Sequence, residues 1–371
     1  MEMYREMTAG PAIFQMGVAA QDTFPATLFA RIRSRAVRAE SSAAPLYPDP
    51  RGELELRREI AAHLAVARGI ECSPSQVIVT GGFGSGLGLA LRVLSLEGRK
   101  VWMEEPGFPF TRRGLELGRL SLAPIPVDAD GIDVDHGLQH APDAALVVVT
   151  PGQQAPLGST LSLARRLRLL DWAAHENAWV IEDDYLSELQ LQARAAPAPA
   201  SIDRAGRVIH IGSFSKTMST ALRLGFLVAP LPSASRFAEV AACLAPAPGP
   251  SVQHAIAEFM REGHYLRHLR RTKRVYAAQR DALLKYLRQR AEDIDLATAG
   301  LAALLALPDG VPDLAIARET LAFGLAPAPL SVWYASPASA RSGLLLGIAT
   351  SPQKHLARSC DRLLEIIDRF R

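Results

Sequence analysis

Between Gln76 and Ala229 short apolar β-rich runs alternate with helical stretches, an order that leaves few architectures open. "QVIVT" (Gln76–Thr80), "KVWMEE" (Lys100–Glu105), "ALVVVT" (Ala145–Thr150), "WVIED" (Trp179–Asp183), "RVIHIGS" (Arg207–Ser213) and "RLGFLVA" (Arg223–Ala229) read as strands. Each is mostly apolar on both faces, as strands covered by helices on two sides are. "LSLARRLRLLDWAAHENA" (Leu161–Ala178) has helical spacing that puts Leu163, Leu167, Leu170 and Ala174 on one face. This β–α order predicts a three-layer α/β/α sandwich around a mostly parallel sheet.

At 371 residues the chain has room for a second domain. The Pro/Gly break "APAPGPS" (Ala245–Ser251) sets the boundary. Residues 45–245 form the expected large domain; 1–44 and 246–371 together form a smaller α+β domain. One or two long helices follow the break, and "HLARSCDRLLEIIDRF" closes the chain as a helix. "QARAAPAPAS" (Gln192–Ser201) reads as a surface loop, and Trp172 and Trp179 as core.

The formal charge of +3 is small and the arginines are spread among acids, so nothing points to nucleic acid or a membrane surface. Three scattered cysteines, Cys72, Cys243 and Cys360, fit neither a disulfide framework nor a metal knuckle. The start "MEMYREMTAG" lacks the apolar run of a secretory signal, and no stretch reaches 18 apolar residues. A cytoplasmic location is the expectation.

Arginine carries almost all the positive charge; only five lysines occur, and one of them, Lys216, follows a strand in "IGSFSKTMSTALRLGF" (Ile211–Phe226). Arginine would serve for an ion pair, but only lysine can lose its proton and form a Schiff base. In an open parallel sheet, ligands sit beyond the carboxyl ends of the strands. Asp183 and Tyr185 fall at one such end, Ser213 and Lys216 at another, and Arg223 just before the next strand. "TGGFGSG" (Thr80–Gly86) is a glycine-rich turn leading into an apolar helix, an anion site by its exposed N–H groups. It matches neither G-x-G-x-x-G nor a P-loop. His63, His136, His140, His175 and His210 show no metal-ligand spacing, and no metal is expected.

One cofactor needs all these parts. A glycine turn, a serine and an arginine hold a phosphate; a lysine holds an aldehyde; a buried carboxylate keeps a pyridine nitrogen protonated. The cationic ring is then an electron sink for the substrate's α-carbon. Pyridoxal 5'-phosphate fits; a nicotinamide does not need the lysine.

These stretches resemble the fold-type-I PLP-dependent aminotransferases, and more closely the aminotransferase-like domain of MocR/GabR-type proteins. The likeness runs through "YPDPRGELELRREIAAHL" (Tyr47–Leu64), "VIVTGGFGSGLGLALRVL" (Val77–Leu94), "EEPGF" (Glu104–Phe108), "TPGQQAPLG" (Thr150–Gly158), "VIEDDYLSEL" (Val180–Leu189) and the Lys216 stretch. The last two, with 33 positions from Asp183 to Lys216, are the specific part. The resemblance implies that Lys216 bonds the cofactor's aldehyde carbon and later shuttles the α-proton. Asp183 would pair with the ring nitrogen and Tyr185 with the phenolic oxygen. Ser213, Arg223 and the amides of Gly82, Phe83 and Gly84 would bind the phosphate, and Phe108 would stack on the ring. Tyr47 would reach the phosphate of a neighbouring subunit, which makes the active unit a homodimer with shared sites.

Three departures stand out. Ala155 occupies the place of an asparagine that commonly bonds the phenolic oxygen, leaving Gln154 as its candidate substitute. Gly84 and Ser85 stand where relatives frequently show two glutamines. In "GLLLGIA" (Gly343–Ala349), Leu345 stands where an arginine ordinarily grips the substrate's α-carboxylate; Arg341 is near in sequence only. A transaminase acting on an amino compound is the first expectation. Decarboxylation, elimination or carbon–carbon bond formation in specialised biosynthesis is the alternative within this chemistry. An effector-sensing domain of a transcriptional regulator is the alternative outside it. Such regulators carry a winged helix-turn-helix, for which "MEMYREMTAGPAIFQMGV" is too short, so nucleic acid is expected as a partner only if a DNA-binding part lies outside this sequence.

Overall fold

The computed structural model describes residues 2–44, 46–191, 196–290 and 295–371. Its large sheet has eight strands: β1 (Val77–Thr80), β2 (Lys100–Glu105), β3 (Ser121–Asp128), β4 (Gly131–Ile132), β5 (Leu146–Val149), β6 (Trp179–Asp184), β7 (Val208–Ser213) and β8 (Gly225–Val228). They lie in the order β1-β8-β7-β6-β5-β2-β3-β4. The run from β7 to β3 is parallel, while β8 is antiparallel to both of its neighbours. The sequence reading passed over β3, which carries Pro124 and Pro126; only the two-residue β4 lies outside it, and a near-edge strand tolerates residues that cannot donate.

A second sheet holds β9 (Leu296–Ala299), β10 (Ala302–Ala306), β11 (Ala328–Pro329) and β12 (Gly343–Gly347), in the order β11-β12-β10-β9. The N-terminal segment is fastened to it: Ile13 forms a bridge with Leu325, and the Gly347 amide donates to the Phe14 carbonyl at 2.8 Å. The long helical stretch divides at Gly263 (φ +71°) into helices Pro250–Arg261 and His264–Arg290.

Helix Leu163–His175 corrects the pattern reading. Leu163 and Leu167 are about half exposed and Ala174 is exposed; Leu169, Leu170, Trp172, Ala173 and Arg166 face inward. Arg166 is fully buried because backbone carbonyls receive its guanidinium: Nε donates to Leu161 at 2.7 Å, Nη2 to Pro151 at 2.8 Å, and Nη1 to Pro197. A saturated arginine thus takes a core position that hydrophobic periodicity gives to leucine. Trp172 is buried and stacks on Trp102 at 4.0 Å, whereas Trp179 is half-buried beneath the Arg207 guanidinium. Of the expected loop at 192–201, residues 192–195 lie outside the described residues, and Pro199–Ile202 is a short helix preceded by the fully buried Ala198.

Candidate active site

Strands β6 and β7 run side by side, pairing Asp183 with Ile211 and Asp184 with Gly212. Side chains alternate between faces along a strand, so these adjacent acids have different surroundings. Asp184 is committed: Arg68 Nε donates to it at 2.7 Å and the Ser187 amide at 3.2 Å. Burial alone would raise its carboxyl; Arg68, His210 and the Ser187 bond outweigh that and hold it below the usual range. Asp183 is 7% exposed, and among the described residues no side-chain donor bonds it. Burial, and then the charges of Asp184 and Glu104, push it far above the ordinary carboxylate range, with Lys216 pulling the other way. A buried carboxylate without a side-chain donor suits a ligand that brings its own cationic N–H.

Lys216 lies in the turn after β7, half-buried. Its ammonium donates to the backbone oxygen of Gly17, from the N-terminal segment that crosses the site. Burial lowers the amine to about 8, and the charge of Asp183 opposes this only in part. Tyr185 is held neutral by burial and by the charges of Asp183 and Glu104.

The anion cradle is built from backbone. Gly82, at φ +106°, caps helix Phe83–Leu94, a turn that strains any residue with a Cβ. The first-turn amides of such a helix have no partner within it. Ser213 is half-buried at the end of β7, its hydroxyl accepting from the Ser215 amide at 3.1 Å. Arg223 (φ +47°) is exposed and forms no ion pair among the described residues. Its carbonyl lies near the glycine turn, 3.9 Å from a Cβ built on Gly81. Phe108 opens helix Pro109–Leu117, its ring 5.7 Å from that of Trp333. Tyr47 is fully exposed, so within one chain it packs on nothing.

Sequence reasoning missed Glu104. It is 6% exposed and lines a cleft with Asp183, Phe108 and Thr150. It accepts from the Thr150 amide at 2.9 Å and hydroxyl at 2.6 Å, yet burial still raises its carboxyl to about 7. Only its place in "EEPGF" signalled it. Gln154 is corrected in turn: its amide nitrogen donates to Pro106 and Ala155 carbonyls at 2.8 Å, and its oxygen accepts from the Leu157 amide at 3.0 Å. With both N–H groups spent on the loop, it has no donor left for a ligand's oxygen.

Leu345 is fully buried at the middle of β12, opposite Leu304 of β10 and Ala328 of β11. It belongs to an apolar cluster with Ala155, Ala302, Leu330 and Trp333, against which Phe108 and Tyr185 pack. Arg341 is exposed. Glu182, Asp184 and His210 bring their ligand atoms within 4.8 Å of one another, a cluster the histidine spacing did not reveal. The Arg68 guanidinium already sits among these carboxylates as their cation.

The profile of the family "Aminotransferase class I and II" matches residues 14–321. The probable rhizopine catabolism regulatory protein MocR of Rhizobium meliloti is 34% identical over 354 residues, covering 94% of this chain and 71% of that protein. YdeL of Bacillus subtilis, an uncharacterized HTH-type transcriptional regulator, is 31% identical over 308 residues, covering 81% of this chain and 65% of its own. The chain therefore spans about two thirds of the length of these two regulators. Among solved structures, LysN, the α-aminoadipate aminotransferase of Thermus thermophilus complexed with N-(5'-phosphopyridoxyl)-L-leucine, superimposes with a TM-score of 0.88 at 25% identity, over 99% of this chain and 95% of that one. With the profile spanning most of its length and its sheets overlying those of an aminotransferase, this chain belongs to the aminotransferase class I and II family and has the fold-type-I architecture.

Proposed function

We propose that the chain is a pyridoxal-phosphate-dependent enzyme of the aminotransferase type, acting on an amino compound at the β6–β7 ends. One arrangement carries this reading: Asp183, buried and without a side-chain donor among the described residues, stands at the end of β6, and Lys216, whose ammonium donates to the Gly17 backbone oxygen, follows the paired end of the adjacent β7. A pyridoxyl ligand in a related structure supports the choice of cofactor. Bound pyridoxal phosphate supplies a cationic ring that takes up the electron pair released at the substrate's α-carbon.

The chain's own residues do the rest. Asp183 would give a cationic ring nitrogen its counter-ion: the cation would lower the carboxyl that burial raises, and the carboxylate so formed would favour the N–H. Tyr185, neutral across the working range, donates its hydroxyl proton to the ring's phenolic oxygen. Ser213, Arg223 and the amides of Gly82, Phe83 and Gly84 bind the phosphate, and Phe108 covers one ring face. Lys216 would hold the group by its aldehyde carbon, and its Nζ, once free, is the base placed to move a proton from a bound amino compound's α-carbon. The apolar surface around Leu345 favours a substrate that presents no carboxylate there. The segment with Leu46 (82% exposed) and the fully exposed Tyr47 meets a second copy, where Tyr47 completes the neighbour's phosphate site.

The likeness to MocR supports a second reading, in which the same site senses an amine without turning it over. Reconstitution with pyridoxal phosphate and borohydride reduction should leave a pyridoxyl group on the Lys216 peptide; its absence rejects the whole reading. Product analysis with a panel of amines then separates the alternatives. Many turnovers per site identify an enzyme, keto products a transaminase, and at most one conversion per site a sensor.

A further inference from the structure

Beside the candidate site lies a small pocket lined by His63, Tyr185, Glu188, Ser213, Thr217 and Tyr265. Four of these side chains, those of His63, Glu188, Tyr265 and Thr217, form a continuous hydrogen-bonded chain that the proposed reaction does not use. Glu188 stands three residues after Tyr185 in the turn that follows β6. One of its oxygens pairs with His63 Nε2 and the other accepts from the Tyr265 hydroxyl. Tyr265 is 3% exposed and also lies 3.1 Å from Thr217 Oγ1. A phenol has one proton, and the carboxylate is the stronger acceptor; the Thr217 hydroxyl therefore donates to the Tyr265 oxygen. Thr217 adjoins Lys216, and its carbonyl accepts from His268 Nε2 at 2.6 Å. Tyr265 and His268 lie three residues apart on helix His264–Arg290, so one helical face grips the lysine's turn twice. Rings pack on Tyr265 from two sides, His63 at 5.3 Å and Phe214 at 5.8 Å, both edge-on.

We propose that Tyr265 is a positioning residue: it ties the turn after β6, through Glu188, to the turn after β7, through Thr217, and so holds Lys216 in its half-buried position at the β6–β7 ends. This rests on the reading of Lys216 as the reactive amine. Sheet pairing between the strands ends at Asp184 and Gly212, whereas Glu188 and Lys216 lie beyond it. The clamp extends the register where the backbone ladder stops. Burial and the Glu188 charge hold the Tyr265 proton in place far above neutral pH, and Glu188 keeps His63 protonated more readily than burial alone would allow. The link is therefore formed throughout the physiological range.

The test uses the cofactor-free protein. Lys216 is labelled with acetic anhydride at a series of pH values and its peptide quantified by mass spectrometry. In the unaltered protein the labelling midpoint is expected near 8; a midpoint at the ordinary lysine value would overturn the reactive-amine reading itself. In Tyr265→Phe, which keeps the ring and removes both links, the midpoint is expected to rise by about one unit, roughly a fivefold loss of neutral amine at pH 8 that approaches about tenfold at lower pH. Thr217→Val should reproduce the shift and Thr217→Ser should not. Tyr286→Phe, which removes a hydroxyl bonded to Asp361 farther along the same helix, should leave it unchanged. If Tyr265→Phe does not fold, the two Thr217 variants carry the decision. An unmoved midpoint in Thr217→Val, or an equal shift in Thr217→Ser or Tyr286→Phe, overturns the clamp.

Discussion

The ammonium of Lys216 donates to the main-chain oxygen of Gly17, a residue 199 positions earlier whose φ is +79°. A Cβ built on Gly17 comes within 3.1 Å of the lysine nitrogen. Gly17→Ala therefore combines backbone strain with a displaced amine. The expected cost is about 1–2 kcal/mol of stability, read by denaturant melts, together with slower borohydride trapping of cofactor on Lys216. Unchanged trapping would mean that the N-terminal segment does not set the amine's position.

Uptake of the cofactor's aldehyde needs the neutral amine. With Lys216 lowered to about 8, the rate of incorporation should rise with pH through that value and level off above it. Stopped-flow absorbance across pH 6 to 10 gives the profile (roughly a tenfold change per pH unit on its acid limb). Lys216→Ala should show no incorporation on this peptide at any pH.

Glu104 makes a stability prediction whose sign is the reverse of the usual carboxylate. Its folded value, about 7, lies above the unfolded value near 4.5. Below 4.5 both states are protonated and nothing is lost. As pH rises from there to 7 the unfolded chain ionises first, and stability falls. Glu104→Gln removes that slope, so its stability relative to the unaltered protein should improve between about pH 4.5 and 7, by up to roughly 3 kcal/mol. Urea melts at several pH values measure the difference.

Leu345→Arg places an isolated guanidinium in an apolar cluster, with an expected cost of about 3–5 kcal/mol in the unliganded protein. An α-amino acid should recover part of this by pairing with the new charge, raising the melting temperature of the variant and not that of the unaltered protein. Equal ligand shifts in both would remove Leu345 from the specificity argument.

The strands were legible because helix-covered parallel strands are apolar along their whole length; Asp183 and Lys216 stood out in the sequence because few residue types suit the chemistry proposed for them. Helical periodicity failed at Arg166, where backbone carbonyls make a cation acceptable inside; no local pattern announces such a partner set. Proline hid β3. The link from His63 through Glu188 to Tyr265 joins residues 125 and 77 positions apart, and only the packing of helix His264–Arg290 on the sheet ends brings them together. Gln154 was misjudged for a related reason: its side chain serves its own loop, and sequence shows a side chain's capacity without showing how it is spent.

Neighbouring strands stand about 4.8 Å apart whatever side chains they carry. Because β6 and β7 are paired as far as Asp184 and Gly212, the peptide ladder fixes where the acid stands and where the lysine's turn begins, and only the last step to the amine is left to the contacts of that turn. Selection on the wall around Leu345 can then retune which amine enters while that ruler stays fixed.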